Sequence, residues 1–421
     1  MRKYRVVSGI ASIAVSVAVS TALADIELVS PSQDCVVPLV PDMQKKVMSI
    51  ETLADRIHLF RDDRNGDKVI RHDKLWRKAS PLVLRWTTTG CEAGPWKIEI
   101  GKSPDLFDAR IWYARTDKVD AVTGREIGKK DGAEEVSFTV PMANLEIGEK
   151  YFWRVTARGR CGFDCGIRHG CSESKVLVRS RIASFFTEDV APRWIAIEGR
   201  VANIRDIGGW RTLDGRRVRQ GMAFRGQGLN DNSVTGESPG RNRLMLEDIK
   251  YLTSTLSVRT DLDLRSDGET ANMNESPIGA NVKYIKNPSE CYGAIFTDKG
   301  KKAMAENFRL FCDRKNYPIY FHCIGGADRT GSLAYVLLSV LGVARHDVET
   351  DWESTFYPNI PDDVHDDPKY WCRESHFNQG FGKYGGENDT WNRRVELYLL
   401  DCGVTKDEID SFRSLLLTGK E

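Results

Sequence analysis

The run His322-Cys323-Ile324-Gly325-Gly326-Ala327-Asp328-Arg329-Thr330-Gly331 is preceded by the apolar Ile319-Tyr320-Phe321 and followed by Ser332-Leu333-Ala334-Tyr335-Val336-Leu337-Leu338. The first flank has the length and residue types of a buried strand, and the second those of a buried helix. The chain is therefore expected to place a strand, a tight glycine-bearing loop and a helix N-terminus in immediate succession. Free N–H groups and the positive end of the dipole at such an N-terminus favour an anion and lower the pKa of a nearby thiol. Cys323 is thus expected to be a thiolate near neutral pH. Gly325 and Gly326 let the loop curl so that successive N–H groups point inward as a nest for a tetrahedral oxyanion. Arg329 closes the nest with a guanidinium that can fork onto two phosphate oxygens, which a lysine ammonium cannot reproduce.

A cysteine, five loop residues, an arginine and then Ser or Thr make up the signature of cysteine-dependent protein tyrosine phosphatases, and this run resembles it at each of those positions. Upstream, Asn203-Ile204-Arg205-Asp206-Ile207-Gly208-Gly209 is similar to the N-x-R-D-x-G-G motif of one branch, the bacterial tyrosine phosphatases related to dual-specificity and phosphoinositide phosphatases. Asp214-Gly215-Arg216, Phe224-Arg225 and Asp263-Leu264-Arg265-Ser266 follow in the order usual for that branch, and the resemblance runs from Arg193 to the C-terminus. A sulfurtransferase loop, which also presents a cysteine, is shorter by one or two residues, so the spacing here favours phosphate.

The resemblance implies in-line attack of Cys323 on phosphorus, hydrolysis of the phosphocysteine by water, and no requirement for a metal or cofactor. Arg329 and the loop amides would stabilise the equatorial oxygens, and Thr330 would donate to the sulfur as it leaves. The branch carries its general acid inside the loop, which points to Asp328; Asp206 is the alternative, or else the residue that holds Arg329 or the loop. Ile324, Gly325, Gly326 and Ala327 would line the phosphate, with Arg205, Asp206 and His322 beside them. His322 precedes the nucleophile on a strand and should point away from it, supporting the loop. Branch members acting on phosphoinositides usually have Lys where this chain has Ala327. That favours phosphotyrosine or another monoester, unless Arg205, Arg225 and Arg265 restore positive potential instead of pairing with Asp206, Asp263 or Asp267. The function expected is an exported cysteine-dependent phosphatase acting on phosphomonoesters, phosphotyrosine first. The alternatives are a phosphoinositide or inositol phosphate phosphatase of the same fold, or a silent phospho-ligand binding protein.

Arg2, Lys3 and Arg5 precede the uncharged run from Val6 to Ala24, which ends Ala22-Leu23-Ala24 before Asp25. That is the pattern of a secretory signal over residues 1–24 with an A-x-A cleavage site, so export to a bacterial periplasm or medium is expected, an uncleaved anchor being the alternative. Ten cysteines suit an exported chain. Cys161, Cys165 and Cys171 cluster with His169, and Cys35 and Cys91 lie in the same half; disulfides stapling a loop are expected, the alternative being a zinc site from the three clustered cysteines and His169. Cys323 must stay reduced, and a cysteine close enough to bond it would switch the enzyme off. With 61 basic and 60 acidic residues, the balance implies neither a nucleic acid nor an anionic membrane as partner.

A chain of 421 residues suits two domains after signal removal. Residues 25–190 read as an all-β sandwich: Leu82–Trp86, Trp96–Ile100, Val136–Val140, Tyr151–Val155 and Ile182–Phe186 are strand-like and separated by turns. The piece from Leu145 to Val155 resembles the turn and penultimate strand of fibronectin type III domains, with Tyr151 placed for a tyrosine corner and Trp86 as core tryptophan. Such a domain would space or dock, with a protein or glycan partner. Asp62, Asp63, Asn65 and Asp67 miss calcium-loop spacing and read as a solvated turn. Residues 191–421 alternate strand-like stretches (Ser257–Leu264, Val282–Ile285, Pro318–Phe321) with helix-like ones (Lys301–Cys312, Ser332–Leu341, Asn392–Leu400), which predicts parallel strands covered by helices; the resemblance implies that this is an α/β tyrosine-phosphatase-like domain with a largely parallel central sheet. The site should lie at the carboxyl end of the strand that delivers Cys323, with Leu229–Arg243 or Tyr357–Gly386 as a lid.

Overall fold

The computed structural model describes residues 25–50, 80–89, 95–114, 126–130, 133–158, 176–198, 201–229, 244–270, 273–355 and 374–419. The expected signal, the proposed calcium-like turn, Cys91, Cys161, Cys165, His169, Cys171 and Cys372 lie outside those residues. Cys35, Cys291, Cys312, Cys323 and Cys402 are free thiols. Among the described residues, no helix is long and apolar enough to cross a membrane.

The first region is built from two largely antiparallel sheets. One sheet joins β1 (Asp25–Ser30), β3 (Val83–Thr89), β7 (Ala133–Thr139) and β6 (Glu126–Lys130), in that spatial order. The other runs β2 (Cys35–Val37), β10 (Ala183–Thr187), β8 (Lys150–Arg158), β4 (Trp96–Gly101) and β5 (Arg110–Ala114), with β9 (Val176–Arg179) alongside β8; β2 pairs in parallel with β10. A short helix, α1 (Asp42–Met48), follows β2. Alternation decides the packing: in β3 Leu84, Trp86 and Thr88 turn inward while Arg85 and Thr89 face water. Trp86, Trp96 and Trp153 are completely buried, Trp86 edge-on to Trp96 with ring centroids 5.6 Å apart. The Tyr151 hydroxyl accepts a hydrogen bond from the Glu146 N–H at 3.0 Å, tying the strand to the turn before it.

The second region has a sheet ordered β11 (Arg193–Trp194), β12 (Arg205–Asp206), β13 (Ala223–Gln227), β16 (Ile319–Cys323), β14 (Thr260–Asp263) and β15 (Lys283–Lys286). The four strands from β13 to β15 pair in parallel, as alternating strands and helices demand. β11 and β12 join them antiparallel, an edge the sequence pattern does not announce because each has only two residues.

β16 divides its side chains between the two faces. Ile319, Phe321 and Cys323 face a core shared with α4 (Asp298–Phe311), α5 (Arg329–Val340), α8 (Trp391–Asp401) and α9 (Lys406–Leu416). Tyr320 faces a smaller core on the opposite side, closed by α2 (Leu246–Lys250) and the π-helical turn Tyr251–Thr255. A four-residue turn of helix, α3 (Asp267–Thr270), follows β14, and α6 (Arg345–Ser354) follows α5. Part of the second lid segment is fixed in the core instead: α7 (Glu374–Phe381) inserts Phe377 and Phe381, one helical turn apart, against Tyr335 with centroids 4.4 and 6.1 Å away.

The two regions join through paired backbone and side-chain bonds. Asn144 donates to the Ala196 carbonyl at 2.8 Å and accepts from the Ala196 N–H at 2.7 Å. Gln220 does the same for Ile147, at 2.9 Å in each direction. Gly209, with a φ of 98°, lies directly under Ile147, so a Cβ there would collide with the isoleucine side chain.

Candidate active site

Cys323 ends β16 and is 1% exposed. The chain then turns through Ile324 to Asp328 and enters α5 at Arg329. Gly326 has a φ of 66° and its α-carbon lies against the Gly226–Gln227 backbone of β13, leaving no room for a Cβ. The Gly228 N–H also donates to the Ile324 carbonyl at 3.1 Å. The loop is thus pressed between the end of β13 and the start of α5.

The sulfur sits in conflicting fields. Burial raises its pKa, but the Thr330 hydroxyl and N–H, the charge of Arg329 and the Gly326 N–H together outweigh burial and hold the thiol below its ordinary value. Cys291, half-buried nearby, goes the other way: burial first, and then the negative charge of Asp328, push it up to about 11. The two neighbouring thiols are therefore shifted in opposite directions, and of the two it is Cys323 whose surroundings favour the thiolate.

Arg329 is held by a residue that the sequence reading did not single out. Its Nη1 and Nη2 donate to Glu269 Oε2 and Oε1 at 2.6 and 2.7 Å, a two-pronged pair. Glu269 also accepts from the Ser266 N–H at 2.8 Å and hydroxyl at 2.6 Å, and chiefly Arg329, followed by these Ser266 bonds, holds its carboxyl at about 2. The pattern Ser266-Asp267-Gly268-Glu269 is that of a helix-capping box, so the signal was present in the sequence.

Asp328 is half-buried at the N-terminus of α5, its carbonyl accepting from Ser332 N–H and hydroxyl, each at 2.8 Å. Ala327 and Ile324, also half-buried, complete the rim. His322 is fully buried behind the loop, with Nε2 2.9 Å from Asp261 Oδ1 and Nδ1 3.8 Å from Asp263 Oδ1. Burial works against its charge, yet the two carboxylates outweigh that and raise its pKa.

Arg205 and Asp206 lie behind the loop, both 0% exposed. Asp206 is held by Arg193 Nη1 at 3.0 Å and by the N–H groups of Gly208 and Gly221 at 2.8 and 2.6 Å. Burial is the largest influence on it and raises its pKa despite those partners. Its oxygens point at Arg193, which in turn donates to the Leu145 and Asn144 carbonyls of the first region at 3.1 and 2.8 Å. Arg205 pairs with Asp351 of α6 at 3.0 Å. Arg225 pairs with the other oxygen of Asp351, and Arg265 with Asp263 at 2.6 Å. All three arginines are therefore committed to carboxylates inside the protein.

A surface groove of about 560 Å³, lined by Leu213, Arg216, Val340, Thr390 and Arg413 among others, opens at the far end of α5. One helix length, about 17 Å, separates it from Cys323, so it takes no part in this chemistry.

Residues 196–359 match the profile of the Tyrosine phosphatase family. A candidate tyrosine-protein phosphatase of Cupriavidus necator is 28% identical over 192 residues, which cover 38% of this chain and 64% of that relative, so the chain spans under two thirds of the protein it matches. Among solved structures, the core catalytic domain of the PP-IP phosphatase SIW14 from S. cerevisiae, in complex with citrate, aligns over 33% of this chain and 82% of its own at 14% identity. Its TM-score of 0.22 is too low to bear on fold or substrate. Over residues 196–359 the C-terminal region is thus similar to the tyrosine phosphatase family.

Proposed function

We propose that the protein hydrolyses phosphotyrosine or a similarly singly phosphorylated monoester through a phosphocysteine formed on Cys323. The observation that carries this reading is the buried thiol whose pKa is lowered, beneath loop amides and beside a clamped guanidinium. The Cys323 thiolate attacks phosphorus, an S–P bond forms, and the bond from phosphorus to the ester oxygen breaks. Asp328 gives its proton to that leaving oxygen. A water molecule then attacks the phosphocysteine while Asp328 takes a proton from it; the sulfur departs as thiolate, stabilised by the Thr330 hydroxyl, and inorganic phosphate remains. Arg329 and the loop N–H groups hold the three equatorial oxygens in both steps.

The substrate argument rests on charge. Ala327 adds none to the rim, and Arg205, Arg225 and Arg265 are buried away from it, the first two sharing Asp351 and the third held by Asp263. A ligand bearing several phosphates would find few partners among the described residues, which favours a single deep-reaching phosphate over an inositol polyphosphate or phosphoinositide. The leader-like N-terminus supports action outside the cytoplasm, and the sandwich-like first region then serves as a spacer or docking module.

The deciding experiment is hydrolysis of an aryl phosphate in excess chelator, with mass-spectrometric search for phosphorus on the Cys323 peptide after acid quench. Cys323→Ser should leave no turnover above background. Turnover that survives in this variant would sink the reading. A panel of phosphotyrosine peptides, phosphoserine peptides, phosphoinositides and inositol phosphates should rank phosphotyrosine first.

A further inference from the structure

Two consecutive peptide groups of the loop are held from behind. The Gly325 carbonyl accepts from Asn203 Nδ2 at 3.1 Å, and the Gly326 carbonyl accepts from Arg225 Nη2 at 3.0 Å. A peptide group is planar and trans, so its C=O and N–H point in opposite directions. Tying these carbonyls to the rear therefore turns the N–H groups of Gly326 and Ala327 to the front, toward the sulfur and an arriving oxyanion.

Both ties lead to one carboxylate. Asp351 Oδ1 accepts from Arg205 Nε at 3.0 Å, and Arg205 Nη1 donates to Asn203 Oδ1, which fixes the end of the amide that faces Gly325. Asp351 Oδ2 accepts from Arg225 Nη1. The Thr355 hydroxyl accepts from Arg205 and Arg225 at 2.9 and 3.2 Å. Asp351, Arg205 and Arg225 are at most 1% exposed, so solvent offers them no substitute partner and the ion network has high stakes. Asn203 itself has a φ of 61°, a left-handed conformation that asparagine tolerates better than most residues.

We propose that Asp351 is a positioning residue for the phosphate cradle: through Arg205 and Asn203, and separately through Arg225, it sets the direction of two successive loop peptides. The inference rests on the phosphatase reading for what the cradle holds, but the orientation of the peptides belongs to the empty loop. It can therefore be read without substrate, because the Gly326 N–H is among the groups that lower the pKa of Cys323.

The test is the pH dependence of Cys323 alkylation by iodoacetamide, followed on the Cys323 peptide by mass spectrometry, with and without inorganic phosphate as protector. Asn203→Asp puts an acceptor opposite the Gly325 carbonyl and should turn that peptide over. The alkylation midpoint is expected to rise by about 1 pH unit, and protection by phosphate to weaken roughly tenfold. Asp351→Asn and Asn203→Ala should move both readings the same way by less, and they decide the matter if Asn203→Asp does not fold. Tyr317→Phe removes a buried hydrogen bond to the Phe311 carbonyl just before β16; it should lower thermal stability and leave the midpoint in place. Folded Asn203 and Asp351 variants with wild-type midpoint and protection would overturn the proposal. Shifted midpoints in a protein that hydrolyses no phosphomonoester would instead sink the phosphatase reading and leave the positioning role standing.

Discussion

Both regions have apolar cores, but they differ in what else they bury. The largest completely buried side chains of the sandwich-like region are Trp86, Trp96, Trp153, Phe138 and Phe185, whereas those of the α/β region include Arg205, Arg225 and Arg265. Around them lie Asp206, Asp261, Asp263, Asp351 and His322, each at most 1% exposed. An apolar interior is stabilised by removing surface from water, an effect without a preferred direction. A buried ionic lattice contributes less net stability for its size, because desolvation offsets much of the attraction, but it fixes directions. The contrast teaches that the second region adds, to an apolar core of its own, a set of directional contacts behind one loop.

The contrast can be broken most forcefully in the sandwich. Trp86→Ala should cost about 3–5 kcal/mol of stability, as expected for an unfilled aromatic-sized cavity, while the rate per folded molecule stays near wild type; a urea titration paired with a rate assay checks both. Loss of rate in molecules shown to be folded would mean that this core also tunes the loop.

Glu269→Ala reverses the pattern. Thermal stability should change little, since the pair with Arg329 is partly exposed, but the freed guanidinium should lower kcat by about a hundredfold, the scale of losing one preorganised charge stabiliser. Steady-state kinetics beside a melting curve would sharpen the comparison, and a large fall in melting temperature with unchanged kcat would contradict it.

The smallest effect is expected in acid. Burial raises the pKa of Asp263, but His322 and Arg265 overcome it and hold the carboxyl at about 2, below its unfolded value near 3.9. The stability it contributes is therefore complete above about pH 4 and is lost as pH falls through about 2. Wild type and Asp263→Asn should differ in denaturation midpoint at pH 6 and converge on approach to pH 2. A gap that widens on acidification would show that Asp263 is not the group lost.

The site was legible where chemistry was contiguous. Strand, cysteine, glycines, arginine and helix stand in one stretch, so the loop and its place at the end of β16 followed from residue order. Strands such as Trp96–Ile100 and Tyr151–Val155 were legible from their composition and bounding turns, and lie within β4 and β8. Asp351 was not: its partners Arg205 and Arg225 lie 146 and 126 residues away, and no spacing within α6 marks it. Nor did the motif from Asn203 to Gly209 reveal its division of labour. Asn203 reaches the loop, Arg205 steadies Asn203, Asp206 turns to Arg193, and Gly208 and Gly209 give space to neighbouring chain. The helix α9 did carry a readable start, Thr405 and Glu408 forming a capping box, but it was passed over in a polar stretch.

The seam at Arg193 bears on how the protein can be cut. A fragment starting near residue 191 would keep the whole signature loop, yet Arg193 would lose its carbonyl acceptors at Asn144 and Leu145, and the hollow over Gly209 would lose the isoleucine that fills it. Recombinant work on the C-terminal half alone would then begin from an opened face on the side of β12 that also carries Asp206, so the intact chain is the proper object for activity assays.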